Sequence, residues 1–153
     1  MTRAEKAKEY FLNGYSCSQS IVKAFADLTE NPTELIKVAS SFGGGFGRLR
    51  EVCGAFSGTC IIVGSLFGYE QSDGNNKLEH YALIRDLAEK FKTANGGSYI
   101  CRELIAGTEK LSSPNPADRT EEYKQKRPCA SIVYNCAEIL EQYLIERGYT
   151  VNK

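Results

Sequence analysis

The chain holds one histidine, His80, among 153 residues, so a multi-histidine zinc centre cannot be built from it. It contains no Cys-x-x-Cys, so attacking and resolving thiols cannot share one helix turn as they do in thioredoxin-type enzymes. Without Cys-x-x-Cys-His, no covalent c-type haem is expected. Charge of one sign is not in excess either: Lys plus Arg and Asp plus Glu both number 19. That balance gives no electrostatic basis for binding nucleic acid or an anionic membrane, and neither is expected as a partner. The most apolar stretch, Cys60 to Phe67, is too short to span a bilayer, and the polar N-terminus has no signal-peptide core. The expected location is therefore cytoplasmic, where thiols are kept free or only transiently oxidised.

Strictly alternating hydrophobic runs are absent too, and the 3.6-residue period dominates. The pattern predicts an all-α fold: a single domain over residues 1–153, a bundle of about six or seven helices. The first runs from Arg3 to Leu12, opened by a Thr2/Glu5 capping box and buried through Ala4, Ala7 and Phe11. A second, Cys17 to Leu28, buries Ile21, Val22 and Phe25 behind a Ser16/Gln19 box. A short third follows Asn31-Pro32, a fourth spans Glu51 to Phe67, and a fifth spans Gly74 to Ala94. A short sixth covers Tyr99 to Ala106, and the last covers Pro128 to Arg147. Between them, 108–127 is a long polar stretch with Pro114 and Pro116, and a turn or two of helix is expected between Asp118 and Lys124.

Four of the six cysteines, Cys17, Cys53, Cys101 and Cys129, fall in the first turn of a predicted helix. Free amides and the positive end of the helix dipole favour an anion there, by roughly 0.3–1 kcal/mol at exposed sites. One pKa unit is about 1.4 kcal/mol, so strong activation also requires a cation or direct donors. Arg48, Arg50, Arg102 and Arg127 lie near these cysteines in sequence. Cys60 and Cys136 each sit seven positions beyond a first-turn cysteine and are expected in the core. At 1.5 Å per residue each is about 10 Å from its partner, beyond disulfide reach.

Two weaker signals accompany the thiols. Gly43, Gly44, Gly45 and Gly47 could offer amides to an anion at the start of the fourth helix, but the segment lacks a P-loop ending and reads first as a tight interhelical turn. Gly54 and Gly58 share a face of that helix, which predicts close approach of another backbone. His80 reads as a packed or half-exposed helix residue.

The segments Tyr15-Ser16-Cys17-Ser18-Gln19, Phe42-Gly43-Gly44-Gly45-Phe46-Gly47 and Glu51-Val52-Cys53-Gly54-Ala55-Phe56-Ser57-Gly58, followed by Cys101 and Cys129, resemble the redox-active proteins named for the signature C_GCAxxG_C_C. This chain reads Cys53-Gly54-Ala55 where the signature reads Gly-Cys-Ala. The resemblance implies a redox or cofactor-associated role.

Three function classes stand side by side. In the leading one, two or more of Cys17, Cys53, Cys101 and Cys129 cycle between thiol and disulfide, as in a thiol–disulfide oxidoreductase or an electron-transfer protein. Its partner is a redox protein or a small thiol, and Cys17 with Cys53 is the expected active pair. In the second, the same four cysteines bind an iron–sulfur cluster or zinc, although their wide spacings match no local ligand signature. The third is a non-enzymatic helical interaction module. First-turn thiols are expected to ionise before Cys60 and Cys136, and to converge in space.

Overall fold

Helix α1 (Arg3–Leu12) starts with both arms of its capping box in place: Thr2 Oγ1 accepts from the Glu5 amide at 3.1 Å, and Glu5 Oε2 accepts from the Thr2 amide at 2.7 Å. Ala4, Ala7 and Phe11 are buried as the periodicity requires. Arg3 is buried as well. Its guanidinium donates to the Ala24 carbonyl at 2.6 Å and the Val151 carbonyl at 2.7 Å, and forms a two-pronged pair with Asp27 at 2.6 and 2.9 Å. These bonds tie the first helix to the C-terminal segment, and hydrogen bonding from Arg3 holds the Asp27 carboxyl below its usual range.

The computed structural model describes residues 1–106, 115, 120, 121, 123 and 127–151. The turn of helix expected between Asp118 and Lys124 lies largely outside the described residues. Helix α2 (Cys17–Phe25) is capped by Ser16, whose Oγ accepts from the Gln19 amide at 3.2 Å. The return arm of this box is missing because Gln19 Nε2 donates to the Ile36 carbonyl at 3.3 Å instead. Helix α3 (Pro32–Val38) has Pro32 in its first turn and passes through a 3-10 turn, Ala39–Phe42, into the glycine-rich segment. Helices α4 (Gly54–Phe67), α5 (Gly74–Ala94), α6 (Cys101–Leu104) and α7 (Cys129–Glu146) complete the set.

Two boundaries differ from expectation for one shared reason. Helix α4 begins at Gly54 rather than Glu51, and α6 begins at Cys101 rather than Tyr99. The residues before each helix pair with one another: Val52 and Ile100 form an antiparallel bridge, the Cys53 amide donates to the Tyr99 carbonyl at 2.8 Å, and the Cys101 amide donates to the Glu51 carbonyl. Backbone groups engaged in that pairing are not available to a helical turn.

The architecture is all-α, and no strand occurs among the described residues. Helix α2 packs against α4 and α1, α1 packs against α7, and α5 covers α4 and α7 from outside. Phe11, Ile21, Phe25, Ile62, Leu87, Phe91, Leu140 and Leu144 are fully enclosed in one shared core. The α2–α4 approach depends on the predicted glycine face. A Cβ on Gly58 would stand 2.7 Å from the Ser18 carbonyl oxygen, and one on Gly54 would stand 3.1 Å from Cys17 Cβ. His80 is half-exposed on α5, edge-on to Tyr69. No helix among the described residues is long and apolar enough to cross a membrane.

Candidate functional site

Cys17 occupies the first position of α2, Cys101 that of α6 and Cys129 that of α7, while Cys53 is the N-cap of α4. Cys129 therefore follows an N-cap Pro128, one position earlier in its helix than expected, and Cys101 follows an N-cap Ile100 instead of Ser98. Ser98 is occupied elsewhere: its Oγ accepts from the Ile100 amide at 2.9 Å and donates to Glu103 Oε1. All four cysteines line one cavity of about 530 Å3, together with Arg48, Arg50, Arg127 and Tyr123. Cys60 and Cys136 lie outside it. Cys136 is buried beside Thr59, and Cys60 packs against the core with partial exposure.

The segment between the 3-10 turn and α4 holds the cavity wall in an unusual backbone. Five consecutive residues have positive φ, Gly44 (67°), Gly45 (74°), Phe46 (67°), Gly47 (56°) and Arg48 (68°), and Arg50 follows at 65°. For an L-residue with a side chain, the left-handed region costs about 1–2 kcal/mol, so Phe46, Arg48 and Arg50 are held there by their surroundings. Gly45 is required for contact as well as φ, because a Cβ there would meet the Glu51 amide at 2.5 Å and Cys101 Cβ at 2.9 Å. The amides of Phe46, Gly47 and Arg48 bond to the carbonyls of Phe42, Ser41 and Gly43. The segment is thus in part a self-bonded turn, and it ends well before α4. Gly43, Gly44 and Gly47 line the cavity, and Gly45 packs behind Cys101.

The four thiols are not equivalent. Cys17 and Cys129 are neighbours whose interaction shifts them in opposite directions. Cys17, the Arg127 guanidinium and the Tyr123 hydroxyl together bring the Cys129 thiol down to about 6, against the opposing effect of burial. The interaction with Cys129 and burial beside it raise Cys17 well above the ordinary thiol range. Burial pushes Cys53 up to about 12 although the Ala55 and Phe56 amides oppose it. Cys101 is raised by burial, offset in part by Arg50, whose guanidinium donates to its sulfur at 3.6 Å. Burial also raises Cys60 to about 12 and lifts Cys136 further. First-turn placement alone therefore does not set the ionisation order: burial leads at Cys53 and Cys101, and the interaction with Cys129 leads at Cys17.

Gly54 brings α4 close to Cys17, on which both Cys129 and Cys53 act, Cys129 the more strongly. All six cysteines are free thiols in this structure. Among the described residues, no group of three or more His, Cys, Asp or Glu side chains is placed to hold a metal ion.

Residues 15–143 match the family described as "Putative redox-active protein (C_GCAxxG_C_C)". The chain belongs to this family. The C_GCAxxG_C_C match begins just before the Ser16-Cys17 cap and ends in α7, so it takes in all six cysteines and the glycine-rich turn. No curated protein and no solved structure matches the chain.

Tyr123 is the site residue that sequence reasoning missed. It stacks on Phe11, carries the Arg127 guanidinium 4.8 Å above its ring, and receives a hydrogen bond from Arg127 at its hydroxyl oxygen. It lies within the long polar stretch, where no periodicity marks an inward-facing side chain. The spacing Tyr123–Arg127, four residues apart, is the one signal that pairs them in sequence.

Proposed function

We propose that this protein is a dithiol redox protein in which Cys129 attacks and Cys17 resolves. The observation that carries the reading is that these two thiols, at the starts of α2 and α7, line one cavity with Arg127 and Tyr123 and act on one another. A family described as redox-active supports the same chemistry.

The Cys129 thiolate attacks one sulfur of a partner disulfide, forming a new S–S bond while the partner's own S–S bond breaks and its far sulfur leaves as a thiolate. Arg127 and Tyr123 keep the attacking sulfur ionised. The Cys17 thiol then gives its proton to the departing thiolate and attacks the Cys129 sulfur. This closes the Cys17–Cys129 disulfide and releases the second partner thiolate. Two electrons pass from the dithiol to the partner, and the reverse sequence oxidises a partner dithiol. Cys53 and Cys101 line the same cavity, both thiols raised by burial.

The experiment that tests this is metal and acid-labile sulfide analysis of anaerobically purified protein, with its visible spectrum. The dithiol reading predicts a colourless protein with substoichiometric metal. Stoichiometric iron and sulfide with visible absorption would replace it with a cluster held by the four cysteines that wall the cavity.

A further inference from the structure

Cys129, Cys53 and Cys101 are only 8%, 6% and 7% exposed, so an oxidant meets these sulfurs inside the cavity. Gly14 and Gly47, both exposed, also line that cavity and open it to solvent. Its volume of about 530 Å3 lies within the range of small-molecule sites, roughly 300–1,000 Å3. Leu104 and Ile132 are among its lining residues and offer contact to an organic group. Two further lining side chains are tied to one another. Arg127 Nη1 donates to the Tyr123 hydroxyl oxygen at 3.3 Å, the Arg127 guanidinium lies 4.8 Å from the centre of the Tyr123 ring, and the Arg127 amide donates to the Tyr123 carbonyl at 2.9 Å. Both side chains act on the Cys129 sulfur. While its oxygen accepts from Arg127, the Tyr123 hydroxyl keeps its own proton for donation. A thiolate with a second thiol beside it is also the arrangement that a hydroperoxide oxidises, through a sulfenic acid that the second thiol converts to a disulfide.

We propose that the cavity is a hydroperoxide site, in which Cys129 reduces a small organic hydroperoxide and Cys17 resolves the oxidised sulfur. This rests on the dithiol reading and names an electron acceptor for the same pair. The Cys129 thiolate attacks the terminal oxygen of the hydroperoxide: an S–O bond forms, the O–O bond breaks, and the alkoxide leaves with the proton of the Cys17 thiol. The products are an alcohol and a sulfenic acid on Cys129. Tyr123 and Arg127 donate to the oxygen on which negative charge develops. The Cys17 thiolate then attacks the Cys129 sulfur, so that an S–S bond forms and the S–O bond breaks. Hydroxide leaves and becomes water with a proton from solvent, the equivalent of the one Cys129 lost on ionising. Two electrons pass from the dithiol to the hydroperoxide, and a partner dithiol restores the pair by thiol–disulfide exchange.

The test mixes reduced protein with tert-butyl hydroperoxide, hydrogen peroxide or iodoacetamide and follows Cys129 by site-resolved mass spectrometry, each rate divided by that of free cysteine at the same pH. Iodoacetamide reports the thiolate fraction and access, so the ratio of a peroxide rate to the iodoacetamide rate isolates assistance to O–O cleavage. For tert-butyl hydroperoxide this ratio should be about a hundredfold, the scale of one positioned donor at a developing oxyanion, and should exceed that for hydrogen peroxide. One alcohol should appear per Cys17–Cys129 disulfide, and in Cys17→Ser dimedone should capture sulfenic acid on Cys129. Tyr123→Phe should lower the ratio about tenfold, the scale of one hydrogen bond to a charged group, whereas a purely structural loss lowers both rates together. An unchanged ratio in that variant would overturn the donor role of Tyr123. Ratios near one for both peroxides, with the Cys17–Cys129 disulfide still formed by a disulfide oxidant, would overturn the hydroperoxide site and leave the dithiol reading intact. A high ratio for hydrogen peroxide alone would overturn the organic class. Dimedone capture on Cys129 of the unsubstituted protein without any Cys17–Cys129 disulfide would instead overturn the dithiol reading, and the resolving step with it.

Discussion

Cys129 is set apart by the neighbours that lower its pKa: Cys17, the Arg127 guanidinium and the Tyr123 hydroxyl. A helix dipole contributes about 0.3–1 kcal/mol, too little alone to move a thiol by several pKa units at about 1.4 kcal/mol each. The sign of the shift gives a direct expectation. Because its folded pKa is lowered, Cys129 should alkylate with iodoacetamide at a rate that rises as pH passes about 6 and then levels off. Cys53 and Cys60, pushed up to about 12, should keep accelerating beyond pH 9. Site-resolved mass spectrometry across pH 5–10 would show it, and a Cys129 profile still climbing at pH 9 would contradict it. That four cysteines sit at or beside helix starts was legible from Ser16, Pro128 and the glycines. Which of them ionises was not, because the donors reach Cys129 through tertiary contacts and because burial, which dominates at Cys53 and Cys101, leaves no local mark in the sequence.

At the scale of elements, α4 shows what its small residues do. Alanine exceeds glycine in helix propensity by about 1 kcal/mol, so Gly→Ala should stabilise α4 wherever space allows. A methyl group on Gly64 would meet nothing within 4 Å, whereas one on Gly58 would stand 2.7 Å from a backbone oxygen of α2. Gly64→Ala should therefore raise stability by up to about 1 kcal/mol, and Gly58→Ala should lower it by about 1–3 kcal/mol through overpacking. Urea unfolding of the two variants checks this, and a stabilised Gly58→Ala would remove the close-approach account. Helix starts with a side-chain cap, such as Thr2 and Ser16, were readable to the residue. Those of α4 and α6 were not, because the Val52–Ile100 pairing that delays both joins segments far apart in sequence. The glycine-rich turn was visible, yet its extension through Phe46, Arg48 and Arg50 was hidden because non-glycine residues rarely take positive φ.

Across the whole molecule, the fold gathers thiols from four separate helix starts onto one cavity, something no local motif could encode. Helix α2 makes this possible by lying between α1 and α4 and touching α7, so that its first residue, Cys17, reaches the first residue of α7. The Arg3 clamp to Ala24, Asp27 and Val151 fixes α1 and α2 against the C-terminal segment that follows α7. On the dithiol reading, helix packing pairs Cys17 with Cys129, and oxidation reads it out. Mild oxidation of the reduced protein followed by peptide mapping under non-reducing conditions should reveal one intramolecular disulfide, Cys17–Cys129, reversed by a dithiol reductant, with Cys53, Cys60, Cys101 and Cys136 still free. Six free thiols after oxidation, or a bond joining any other pair, would contradict it.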